Sequence, residues 1–130
     1  MTITNLTNGK RAPVRQGDVL LVPVDTLPEG LETAPRDRHG HILLAEGERS
    51  GHRHAIRDKS VMSFKRAGSE DIDYVEVGGS GAIFAHEYLS GQKADHDAVM
   101  LQPGAYRVVH PIKGGTQREY SPSAIVRAQD

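Results

Sequence analysis

A chain of 130 residues with a formal charge of −1 makes one domain, long enough to remove roughly two-thirds of its unfolded surface from water. It has no cysteine, which excludes disulfides and thiolate zinc sites, so any metal must be held by His, Asp or Glu. No apolar run nears the ~18 residues of a membrane span, and Met1 to Asn8 lack the charged-then-apolar layout of a signal peptide, so a cytoplasmic protein is expected.

Taken in order, residues 1–15 read as a flexible N-terminal arm, polar and interrupted by Pro13, and residues 16–130 as a single β-barrel domain. Gln16-Gly17-Asp18 opens a strand over Val19–Val24 that is apolar on both faces, hence central or doubly covered, with Pro23 marking the end of its pairing. Pro28, Gly30, Pro35 and Gly40 mark residues 25–40 as a long loop, a length that is usually functional or mobile. Strands over 41–45 and 52–57 form a hairpin around Glu46–Gly51, followed by strands over 61–67 and 73–77. Gly78–Gly81 is a turn; no Lys-Ser/Thr follows it, so it is not a phosphate loop. Further strands run over 82–88, 98–101 and 106–110, separated at Pro103-Gly104, and a last one over 125–127. No window carries ten residues of apolar spacing at period 3.6. The expectation is an all-β fold, a small barrel or sandwich of about eight or nine short strands.

Charge is unevenly placed. Six cations (Arg49, Arg53, Arg57, Lys59, Lys65, Arg66) face one anion, Asp58, over 49–66, and four anions (Glu70, Asp71, Asp73, Glu76) follow. Neighbouring strands pairing their outward charges across the ladder account for this. A basic patch for an anionic partner is the alternative.

The chemistry lies in the histidines. In Gly51-His52-Arg53-His54-Ala55-Ile56, strand alternation places His52, His54 and Ile56 on one face and Arg53, Ala55 and Arg57 on the other. Long cations belong in water, so the arginine face is expected outside and the imidazoles inside. The imidazoles of His-x-His on a strand can converge on one ion at ~2.0–2.1 Å. His86, on a strand face shared with Phe84 and Tyr88, and His96, before the strand at 98–101, are the expected third and fourth ligands. His110 is a weaker candidate, and His39, His41, Glu46 and Glu48 weaker still. The metal would be a divalent transition ion such as Zn, Fe, Mn or Ni, with Cu compatible with the same donors.

Two resemblances follow from these residues. Gly47 with His52-Arg53-His54, and Gly104 with His110, resemble the two motifs of the cupins, small β-barrels with a metal deep inside. The resemblance implies a cupin-like barrel with metal-dependent chemistry. The chain departs from that pattern where Arg57, Asp58 and Lys59 replace the glutamate expected after His54, and where Pro103 and Gly104 have no residue between them. The chain as a whole also looks like a family of short bacterial proteins with no assigned activity. It shares Arg15-Gln16-Gly17-Asp18-Val19, Glu46-Gly47-Glu48, Gly51-His52 with His54, His86-Glu87, Pro103-Gly104 with Tyr106-Arg107-Val108, and Gln117 through Pro122. This resemblance lends no catalytic residue.

Other chemistry finds less. No serine sits in a Gly-x-Ser-x-Gly elbow. Arg118 and Tyr120 on one strand face suit an anion, as do Arg49, Arg53 and Arg57, but few aromatics accompany the basic stretch. Two functions are therefore carried forward. One is a metal-binding β-barrel, an enzyme on a small-molecule substrate if it keeps an open coordination position. The other is a non-catalytic module contacting nucleic acid or a partner protein through its basic face. Association into an oligomer is open to either.

Overall fold

Alternating apolar residues require two faces to close on each other, and the computed structural model of the protein does this with two open sheets. It describes residues 3–46, 52–88, 98–110 and 126–127. Fourteen short strands occur among them. They are β1 (Ile3–Thr4), β2 (Leu6–Thr7), β3 (Lys10–Arg11), β4 (Val14–Gln16), β5 (Val19–Val24), β6 (Leu31–Thr33) and β7 (Ile42–Glu46). The remainder are β8 (His52–Ile56), β9 (Met62–Arg66), β10 (Tyr74–Val77), β11 (Ala82–Tyr88), β12 (Val99–Leu101), β13 (Gly104–Val109) and β14 (Val126–Arg127). The described residues contain no helix.

One sheet has the order β1-β12-β11-β8-β7, the other β14-β4-β5-β13-β10-β9-β6, and β2-β3 forms a separate ribbon. Among the described residues neither large sheet closes on itself, and the all-β expectation takes the form of a two-layer sandwich. Its core is a single cluster drawn from both layers. Ile42, Leu44, Ile56, Phe84, Val99 and Leu101 come from the first sheet, and Val14, Val19, Leu21, Val75, Tyr106 and Val108 from the second. Burying one such side chain contributes roughly 1.5–3 kcal/mol.

Leu20 and Val109 pair with each other, point away from that cluster by strand alternation, and are buried too. Strand β5 is thus covered on both faces, as its apolar run requires. Pairing of β5 with β4 ends at Leu21, whereas pairing with β13 continues through Pro23 to Val24. Pro23 therefore sits where the strand has lost one neighbour, not both.

The hairpin β7–β8 forms as expected, with a bulge that places Leu44 between Leu43, opposite Ala55, and Ala45, opposite His54. Across β9 and β10 the expected charge pairing appears at Arg66 and Asp73, 3.3 Å apart.

Two sequence expectations are corrected. Residues 1–15 are expected as a flexible arm, but from residue 3 onward they contribute to four strands, β1 to β4, and Asn5, Ala12 and Val14 are buried. Asn5 donates its amide to Ala12 O and to the Tyr106 hydroxyl, and accepts from Gln102 N. Arg11 lies over the Tyr106 ring at 5.0 Å and donates to Ala105 O and Val24 O. That guanidinium fills the space a side chain at position 104 would need, and a Cβ there would come within 2.5 Å of it. Gly104, at φ +132°, is thus tied to the N-terminal segment. The long loop 25–40 also contains a strand, β6, which pairs with β9 at the edge of the second sheet.

Candidate metal centre

The His-x-His strand is placed by its neighbours. Strand β8 runs between β7 and β11, and its register sets His54 directly opposite His86 and Ile56 opposite Phe84. Ile56 and Phe84 are both in the core, so His54 and His86 share the inner face. His86 is buried and His54 half-buried. Their rings are stacked, with centroids 4.3 Å apart and planes 9° from parallel, and Phe84 lies 6.3 Å from His54. His52, two residues before His54, pairs with Tyr88 in the same ladder.

Across the sandwich, the tight turn between β4 and β5 meets the pair. Gln16 is fully buried. Its side-chain N–H donates to Phe84 O at 3.3 Å, and its Oε1 stands 2.7 Å from His54 Nδ1. An amide oxygen only accepts, so Nδ1 carries the proton, and in the neutral ring Nε2 keeps its lone pair. Gly17 follows at φ +56°, the conformation demanded of the first residue in a two-residue turn between paired Gln16 and Val19. A Cβ on Gly17 would lie 2.9 Å from both Cε1 and Nε2 of His54. The glycine therefore serves the turn and also admits the ring edge.

This arrangement offers one oriented imidazole nitrogen beside a second imidazole. Cross-strand neighbours have Cβ atoms about 4.5–5.5 Å apart, close enough for both rings to reach one ion. In-plane lone pairs on stacked, parallel rings do not converge, so shared ligation requires one ring to turn about its Cα–Cβ bond. Among the described residues, no group of three or more His, Asp or Glu side chains is placed to hold a metal ion. His96 lies outside the described residues. His110 follows β13 and lines a cavity with Asp37, Glu70 and Asp71. His39 and His41 stand on the 34–41 loop, where their backbone N–H groups donate to Asp37.

The outer face of β8 departs from expectation. Arg53 does leave the inner face, yet it is only 1% exposed, because the 34–41 loop folds over it. It donates to Asp37 Oδ2 at 2.9 Å, while its Nε is buried with no partner among the described residues. By itself, burial would push the Asp37 carboxyl up. Hydrogen bonds from His41 N–H, Arg53 and His39 N–H, with the charge of Arg53, outweigh it and hold the group below its ordinary value. Arg36 pins the same loop by donating to Gly40 O, Asp58 O and Val61 O. Arg57 is exposed. Arg49, Glu48, Arg118 and Tyr120 lie outside the described residues. Arg53 is thus withdrawn from the basic face on which it was placed.

The fold and the paired imidazoles define a two-layer β-sandwich domain with a buried polar end on its inner face. Residues 15–111 match the family described as a domain of unknown function (DUF8820), and the chain belongs to that family. Comparison with curated proteins and with solved structures gives no match.

Proposed function

We propose that this protein binds one divalent transition metal, such as Zn, Fe, Mn or Ni, at the inner end of the sandwich. His54 and His86 are the proposed first donors, with His52 and His96 completing the set. The observation that carries the reading is the Gln16–His54 hydrogen bond, which sets the ring proton on Nδ1 and leaves the lone pair of the neutral ring on Nε2. Metal-binding histidines characteristically give their other ring N–H to such an acceptor. In this proposal the likeness to cupins extends to a metal set between β-strands, with an open position for water or a small-molecule substrate.

The test is metal content of the full chain purified without a polyhistidine tag and equilibrated with Zn, Fe, Mn or Ni in turn. The expected result is one equivalent of at least one ion per chain, lost in His54→Ala and in His86→Ala. Content equal to a blank protein for every ion, or unchanged in both variants, rejects the proposal. A basic-face interaction is less favoured, since Arg53 is buried against Asp37 and Arg66 stands beside Asp73.

A further inference from the structure

A second feature lies at the open edge of the sandwich, independent of the histidine pair. The loop after β6 crosses from one sheet to the other before β7, and beneath it is a cavity of ≈ 360 Å³. That volume falls at the lower end of small-molecule sites, about 300–1,000 Å³. Its apolar lining includes Leu43, the bulged Leu44 and Ile72. Its ionisable lining is mainly acidic, with Asp37, Glu70 and Asp71 against Arg36 and His110, and Asp37 is already paired with Arg53. Arg36 has turned its donors to the carbonyls of Gly40, Asp58 and Val61, and offers none of those bonds to an anion. Asp37 is held ionised and in place by Arg53 and two backbone N–H groups. Glu70 and Asp71 are exposed.

We infer that this cavity binds a small organic cation, an ammonium group on a short apolar body. The apolar part lies against Leu43, Leu44 and Ile72, and the ammonium group meets the carboxylates. An anion would lose hydration while facing Glu70 and Asp71, and a neutral ligand would gain at most a hydrogen bond from them, without the charge attraction.

Phenethylamine is the probe, with phenethyl alcohol and phenylacetate as neutral and anionic controls. Each is titrated at low salt into the full chain after chelator treatment, and followed by methyl NMR. The expected result is that the amine shifts the Leu43, Leu44 and Ile72 methyl signals at lower concentration than the alcohol, with phenylacetate weakest. Glu70→Gln with Asp71→Asn, both at exposed positions, is expected to weaken the amine about fivefold and leave the alcohol unchanged. Leu43→Trp, which fills the cavity, is expected to abolish the shifts. No shift with any probe, phenylacetate binding as well as the amine, or an unchanged amine affinity in the acid-neutralised variant overturns the inference.

Discussion

Gly17 does two things that no other residue type can combine. It adopts φ +56°, and it leaves room for the Cε1–Nε2 edge of His54. Gly17→Ala is expected to cost about 1–3 kcal/mol from backbone strain, and to move the ring as well. Urea unfolding gives the first quantity, and His54 imidazole NMR shifts reveal the second. Gln16→Leu keeps the volume but removes the acceptor of the His54 N–H and a side-chain donor to the Phe84 carbonyl. It should destabilise by about 1–3 kcal/mol and, on the metal proposal, weaken metal binding about 10–100-fold, read by competition with a colorimetric chelator. The His54–His86 face was legible in advance because strand alternation needs only local spacing. Gln16 was legible only as a polar residue before a glycine. Its role depends on which sheet faces which, and spacing along one strand carries no such information.

At the scale of elements, the 34–41 loop and β8 are one unit. The prediction that Arg53 faces away from the histidines followed from period two and holds. The prediction that it faces water failed, because a loop 16 residues upstream brings a carboxylate over it. Burying a lone guanidinium is costly, and Asp37 offsets that cost. Asp37→Ala should lower stability by about 2 kcal/mol, a figure discounted from the fully buried case because the carboxylate is one-fifth exposed. The same pair gives a pH dependence with a definite sign. The Asp37 carboxyl is lowered from 3.8, so its contribution is complete above that value and is lost as pH falls through the lower folded value. Acid titration of wild type and Asp37→Asn should therefore converge in stability at low pH. Parallel curves throughout would rule the linkage out.

The ribbon β2–β3 shows a different kind of miss. Asn8 and Gly9, both at positive φ, form its turn, and Asn-Gly is a strong local hairpin signal. The arm expected over residues 1–15 rests on their polar composition and Pro13 alone and takes no account of that dipeptide. The register of β1 on β12 and the reach of Arg11 to Tyr106 depend on contacts roughly a hundred positions away, beyond any local pattern.

For the whole molecule, fold class was legible because turn signals and the lack of helical periodicity are distributed along the entire chain. Barrel or sandwich was not, since closure depends on whether edge strands meet. The N-terminal segment links the layers, with β1 joining the first sheet and Arg11 bonded to β5 and β13 of the second. Removing residues 1–12 should lower Tm by about 5 °C or more, since about 2 kcal/mol corresponds to that shift in a domain of this size. A scanning calorimetry trace unchanged by the truncation would show the segment to be dispensable.

Gln16 belongs to one layer and His54 to the other, and their bond spans the gap at 2.7 Å. The ring's nitrogen resonances therefore work as an internal gauge of how far apart the layers stand. Under hydrostatic pressure or mild denaturant, separation of the layers would let the imidazole exchange tautomers while each sheet kept its own backbone bonds. A change in the nitrogen spectrum ahead of amide exchange would then mark the first step by which the sandwich opens.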